Sequence, residues 1–161
     1  MKPHTILIVF LLAFFFILPI HFFILGEGYG YGIQGFTYRY QITSQGTSFF
    51  PVSYELGYIL DKTITGRTAW SIGFWILGTL LYSSGMLVYL LSYDGYRSIW
   101  VRRAAGLLCA SIISVVISSL IQYGVFFHGA AGISILIGIP ILIGITYWMY
   151  ILPDDKREQG S

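Results

Sequence analysis

Four long apolar segments, separated by short polar ones, set the pattern of this chain. They cover about residues 5–25, 68–93, 104–127 and 129–152, and they contain no Lys, Arg, Asp or Glu. About twenty helical residues suffice to cross a hydrocarbon core of about 30 Å. The pattern therefore predicts an all-α membrane protein, a four-transmembrane-helix bundle in a single membrane domain over residues 1–161.

The connections between these segments differ greatly in length. An outer loop covers residues 26–67, a cytoplasmic loop covers 94–103, and a cytoplasmic tail covers 153–161. Between the last two apolar segments only His128 and small neighbours remain, which predicts a tight helical hairpin. Pro140 in the middle of the fourth segment predicts a kink there.

Basic residues predict the orientation of the chain. Positively charged flanks are retained on the cytoplasmic side. Six basic residues would share the side of the termini, against Arg39, Lys62 and Arg67 on the other side, and this split predicts a multi-pass protein of the cell membrane with both termini in the cytoplasm. The six are Lys2, Arg97, Arg102, Arg103, Lys156 and Arg157. Arg97, Arg102 and Arg103 are interpreted as topology anchors, with binding of anionic lipid head groups as the alternative.

The outer loop between helices 1 and 2 predicts a β-hairpin. Residues 36–43 alternate strictly, with Phe36, Tyr38, Tyr40 and Ile42 on one face and polar residues on the other. Residues 44–46 would form the turn and 47–50 the returning strand. The aromatic face must cover either the outer helix ends or a partner subunit, because an isolated hairpin is marginal in water. These four residues are the candidate recognition surface.

Two neighbouring stretches of the outer loop are less regular. Residues 53–62 predict a short amphipathic helix whose Leu56, Ile59 and Leu60 face the membrane or the bundle, while Glu55 faces water. The glycine-rich stretch 26–32 is interpreted as a flexible linker, because it lacks the βαβ context of a dinucleotide-binding loop.

A stripe of small residues on the third segment predicts a helix-packing interface. Close packing drives helix association in lipid, so small residues at four-residue spacing indicate a contact face. The stripe contains Gly106, Ala110, Ser114, Ser118 and Gln122. Its partner could be a helix of the same chain or another subunit. Gln122 also has an alternative role as a substrate or ion contact, and His21 and His128 form a weak candidate ligand pair.

Composition excludes several functions. Only 10 % of the residues are charged and the formal net charge is +2, so no basic surface for nucleic acid is expected. The single cysteine, Cys109, excludes an intramolecular disulfide and a multi-cysteine metal site. No catalytic motif is present, and no metal or cofactor is expected. The sequence therefore favours a non-catalytic accessory or structural subunit rather than an enzyme.

The expected partners are membrane lipid and either further copies of the chain or other membrane subunits, bound through the outer loop and the small-residue stripe. Two alternatives remain: a channel or transporter subunit, and a lipid- or quinone-dependent membrane enzyme. Liposome flux and purification partners are the observations that separate these classes.

The layout of the four segments resembles the claudin-type tetraspan proteins. The resemblance consists of four spans, cytoplasmic termini, a long first outer loop with β structure and a very short second one. The claudin loop motif of Gly-Leu-Trp followed by two cysteines is absent, so no functional residue is carried over.

Overall fold

The fold is mixed α/β rather than all-α. A computed structural model describes residues 3–92 and 98–151, and these contain five α-helices and a six-stranded antiparallel sheet. The helices are α1 (Pro3–Phe16), α2 (Val52–Leu60), α3 (Gly66–Ser92), α4 (Ser98–Tyr123) and α5 (Ile139–Ile151). The strands are β1 (His21–Leu25), β2 (Gly30–Gln34), β3 (Tyr38–Thr43), β4 (Gly46–Pro51), β5 (His128–Gly129) and β6 (Gly132–Ile135).

The prediction of a four-transmembrane-helix bundle is therefore wrong. Among the described residues only α3 and α4 are long and apolar enough to cross a membrane. The other two apolar helices, α1 and α5, have 14 and 13 residues. The claudin-like tetraspan layout, which depends on four helical spans, is contradicted by the same finding. Arg97, the rest of 93–97 and the tail 153–161 lie outside the described residues.

The first apolar segment is part helix and part strand. Helix α1 ends at Phe16, and Pro19 disfavours a helical conformation for the residue before it. The Ile20 N–H donates to the carbonyl of Gln34 at 2.7 Å, and the run of apolar residues then continues as β1. A continuous apolar run is compatible with a buried strand as well as with a helix, which is why the sequence pattern was misleading.

The fourth apolar segment divides in the same way. Its first part forms β5 and β6, and α5 begins only at Ile139. Pro140 thus lies in the first helical turn, where its missing N–H costs no hydrogen bond, and the predicted mid-helix kink is wrong. Gly132 has a φ of +118°, and a Cβ there would lie 1.9 Å from the Ile24 carbonyl oxygen. Only glycine permits this close approach.

The sheet has the strand order β4-β3-β2-β1-β6-β5, so β1 lies inside it between β2 and β6. In register, Phe23 is opposite Gly32 on β2 and Ser134 on β6. The predicted hairpin is present as β3 and β4, paired from Tyr38 and Pro51 to Thr43 and Gly46. The predicted short helix is present as α2. The stretch interpreted as a flexible linker, by contrast, runs into a 3-10 turn at Gly26–Gly28 and then β2.

Helices α3 and α4 form the central helix pair. Gly78 of α3 lets α4 approach closely, and the Ser111 hydroxyl donates to the Gly78 carbonyl at 2.7 Å. Helix α1 packs on α3 with His4 Nδ1 2.9 Å from the Tyr89 hydroxyl. The described ends of the chain therefore lie at one end of the helix pair and the sheet at the other.

We expect Gly78→Leu to destabilise the protein and Gly73→Leu to be tolerated. A Cβ at position 78 would lie 2.9 Å from a Val115 methyl carbon, whereas a Cβ at position 73 meets nothing within 4 Å. Overpacking of this kind costs about 1–3 kcal/mol. Thermal unfolding in mild detergent measures the difference, and equal melting temperatures for the two variants would contradict the packing described.

Candidate functional site

The two faces of the sheet differ in polarity, and the polar face is the covered one. Side chains alternate between faces along each strand, so the register assigns every strand residue to one side. The inner face lies against the sheet-proximal ends of α3 and α4. Its polar members are His21, Gln34, Arg39, Gln41, Thr43, Ser48 and Ser134. A cavity of about 50 Å³ is lined by His21, Gln34, Arg39 and Gln41 of the sheet and by Ser71, Ser118, Ser119 and Gln122 of the helices. Thr43 and Ser48, toward the β3–β4 turn, instead line an open cavity and are only partly buried.

Arg39 joins the sheet to two helices. Its guanidinium forms an ion pair with Glu55 of α2 at 3.1 Å and donates through Nε to Gln34 Oε1 at 3.2 Å. The same group lies 5.4 Å from the centre of the Trp75 ring on α3, within cation–π range. Glu55 is 3 % exposed. Its predicted orientation toward water is therefore wrong, because the carboxylate is turned inward to pair with Arg39.

Trp75 and Thr79 attach the β2–β3 connection to α3. The Trp75 indole N–H donates to the Gly35 carbonyl at 2.9 Å, and the Thr79 hydroxyl donates to the Phe36 carbonyl at 2.7 Å. Both are buried. These bonds satisfy two carbonyls of a buried connection that have no strand partner, and so they fix the sheet on the helix pair.

His21 is the centre of a second group of hydrogen bonds on the inner face. Its Nδ1 lies 2.8 Å from the Ser134 hydroxyl, and its Nε2 lies 3.0 Å from Gln34 Oε1. The amide oxygen can only accept, so Nε2 carries the proton and Nδ1 accepts from Ser134. The pKa of His21 is lowered to about 4, chiefly by burial; the Gln34 hydrogen bond raises it and the nearby Arg39 charge lowers it, both by smaller amounts. The ring is neutral at pH 7.

The Ser134–His21 pair has the hydrogen bond of a nucleophile and its base, but its surroundings favour a structural role. A catalytic histidine is oriented by a carboxylate that stabilises the imidazolium form. Here the third group is the uncharged amide of Gln34, and both Ser134 and His21 are buried. Within the described residues, moreover, no three His, Cys, Asp or Glu side chains meet as metal ligands. His128, on β5, is exposed and belongs to the opposite face of the sheet from His21.

The outer face of the sheet is apolar along β1 to β4 and β6, except at Thr47. Its members are Phe22, Ile24, Tyr31, Ile33, Tyr38, Tyr40, Ile42, Thr47, Phe49, Pro51, Ile133 and Ile135. Tyr31 is 50 % exposed and Phe49 is 59 % exposed. Tyr38 stacks on Phe49 with 5.8 Å between ring centres. An antiparallel sheet with one open face normally presents its polar side there, so this arrangement is inverted.

The four residues predicted for recognition are divided between surface and core. Tyr38, Tyr40 and Ile42 lie on the outer face of β3 and are partly exposed. Phe36 lies before the strand, is 0 % exposed and stacks on Tyr82 of α3 with 4.0 Å between ring centres. Only the first three can therefore touch a partner directly.

The predicted small-residue stripe follows α4 but does not form one continuous contact. Ser114 and Ser118 face α3, and their hydroxyls donate to the carbonyls of Phe74 and Ser71 at 2.7 Å. Gln122 borders the inner-face cavity. Gly106 is exposed, and Ala110 is partly buried. Of the predicted anchors, Arg102 and Arg103 lie exposed at the end of α4 that is far from the sheet.

Sequence reasoning missed the roles of four residues in the polar layer between the sheet and the helices: Gln34 and Ser134 of the sheet, Glu55 of α2 and Trp75 of α3. Trp75 and Ser134 lie in predicted membrane spans and Glu55 in a predicted surface helix, whereas Gln34 lies between the predicted linker and the predicted hairpin. The isolated carboxylate of Glu55 within an otherwise apolar stretch was the one available signal, because such a group needs a partner when it is buried. No family model matches the chain, and no curated protein matches it either.

We expect the stability of the protein to fall as the pH decreases from about 6.5 to about 4. The unfolded chain binds a proton at His21 below pH 6.5, whereas the folded protein does so only near pH 4. The free energy of unfolding therefore decreases by up to about 3 kcal/mol as the pH falls through this window, and it increases again as the pH rises. Melting temperatures in detergent at several pH values measure this.

His21→Gln should reduce that pH dependence, because glutamine does not titrate. His128→Gln is the matched control, since His128 is exposed and should leave the profile unchanged. If the melting temperature of His21→Gln depends on pH as steeply as that of the wild type, another group is responsible for the pH dependence.

Removal of the Glu55 carboxylate should also destabilise the fold. Glu55→Ala leaves the Arg39 guanidinium under the sheet without its ion-pair partner. Breaking a buried pair costs about 3–5 kcal/mol, and the 23 % exposure of Arg39 reduces this to about 2 kcal/mol. Asp61→Ala, at an exposed carboxylate just after α2, is the control and should have little effect.

A double change of Arg39 and Glu55 to leucine should lower the free energy of unfolding by less than the sum of the two single changes, because the two side chains interact directly.

Proposed function

We propose that the chain is a non-catalytic integral membrane protein that acts as an accessory subunit and binds another membrane protein through the outer face of its sheet. The partner is a second copy of the chain or a different subunit. The observation that carries the proposal is the inverted polarity of the sheet: the polar face is used internally, and the aromatic and aliphatic face is left open. Large open apolar surfaces mark interaction sites.

The composition of the outer face supports a protein partner. Tyrosine and phenylalanine are enriched at protein interfaces, where they provide large contact areas at low entropic cost. Tyr31, Tyr40 and Phe49 occupy three adjacent strands on this face. The Tyr38 hydroxyl bonds to the Ile17 carbonyl at 2.5 Å, so part of the surface is held rigid before binding.

In the proposed membrane arrangement, α3 and α4 cross the cell membrane and the sheet lies on the outer side. Arg102 and Arg103 lie at the opposite end of α4, which the positive-inside rule assigns to the cytoplasm. The start of α1 and the end of α5 lie at that same end, as His4 beside Tyr89 and Arg102 beside Tyr150 indicate. Both termini are therefore proposed to be cytoplasmic.

Site-specific photo-crosslinking in native membranes tests the recognition. Tyr31→Cys in a Cys109→Ser background, labelled with a benzophenone maleimide, should yield a crosslinked product heavier than the 18.1 kDa chain. Gln45→Cys in the same background is the control, because Gln45 is exposed in the β3–β4 turn and off the outer face. Equal yields from the two positions, or monomer alone from Tyr31→Cys, would reject the proposal.

A further inference from the structure

An apolar groove runs between α4 and α5 at the end of the helices that is far from the sheet. Its volume is about 640 Å³, within the usual range of small-molecule sites. The residues that define its floor and walls include Gly106, Cys109, Ile113, Ile143 and Tyr147. The groove opens on the surface of the helices, and none of the residues that line it belongs to the sheet.

The length of the groove matches one leaflet of a bilayer. Along α4 it extends from Arg102 to Ile113, which at 1.5 Å per residue is about 16 Å. Half of a hydrocarbon core of about 30 Å is about 15 Å. One extended acyl chain therefore fits from the cytoplasmic end of the groove to the middle of the membrane.

The chemistry of the groove changes at its cytoplasmic end. There Arg102 borders it, with the guanidinium 5.4 Å from the ring centre of Tyr150. The Arg102 guanidinium at the head-group level is complementary to a phosphate, while the apolar walls of the groove are complementary to the acyl chain attached to it.

Gly106 keeps the groove open. A Cβ at this position would meet nothing within 4 Å, so the glycine is not required for helix contact. Its effect is to leave space between α4 and α5 just above Arg102, where the upper part of a lipid would lie.

We propose that this groove binds one anionic glycerophospholipid, with an acyl chain along Gly106, Cys109 and Ile113 and its phosphate at Arg102. The inference requires α4 to lie in the membrane but does not require recognition by the sheet. A failed crosslinking experiment at Tyr31 therefore leaves it intact.

Native mass spectrometry of the protein in mild detergent, titrated with phosphatidylglycerol or phosphatidylcholine, tests this inference. Wild type should retain one phosphatidylglycerol at least about fivefold more tightly than phosphatidylcholine, since one basic residue contributes about this factor. Arg102→Gln should remove the preference, and Gly106→Leu should weaken retention of both lipids by filling the groove.

Two matched controls keep the test specific. Lys62→Gln removes a positive charge near the sheet, and Gly144→Leu adds the same side chain at a glycine of α5 with open space around it and outside the groove. Both should bind lipid like wild type, with melting temperatures used to verify folding. Equal retention of the two lipids by wild type, unchanged binding in folded Arg102→Gln, or loss of a dimer rather than a lipid in Gly106→Leu would each overturn the proposal.

Discussion

The antiparallel pairing of β1 with β6 is the interaction on which the rest of the structure depends. Both strands come from apolar segments whose backbone N–H and C=O groups would be costly to leave unpaired. Each strand supplies the other with partners from Phe22 and Ile135 to Leu25 and Gly132. The same pairing places His21 beside Ser134 and ties the end of α1 to the start of α5. A sheet thus forms where two membrane helices were expected.

The polar layer under the sheet explains how such an apolar sheet keeps one orientation. The Arg39 guanidinium has an ion-pair partner in Glu55, a hydrogen-bond acceptor in Gln34 and a cation–π partner in Trp75. All three side chains lie on the inner side of the sheet. Turning the sheet over would separate Arg39 from Glu55 and leave buried polar groups unpaired, which is costly. The specificity of the fold is therefore electrostatic and directional, while the apolar outer face is a consequence of satisfying that layer.

The parts of the fold that the sequence predicted are those determined by local pattern. Strict alternation over residues 36–43 correctly predicted β3, and the turn residues that follow correctly predicted its pairing with β4. The segments 21–25 and 132–135 were assigned to helices because a continuous apolar run has no period that separates strand from helix. For the site, alternation correctly divided β3 into polar and aromatic faces. It could not show which face is covered, because Glu55, Trp75 and Ser134 reach Arg39 and His21 only through tertiary structure.

The internal position of β1 has a consequence for the order of synthesis. β1 leaves the ribosome early, whereas β6 follows only after α4 is complete. Until then one edge of β1 is open, with hydrogen-bonding groups that any other extended chain could pair with. β6 thus closes this edge of β1, and long-range closure of this kind is slow. Nascent chains that stop before Gly132 would remain aggregation-prone, even with every helix up to α4 in place.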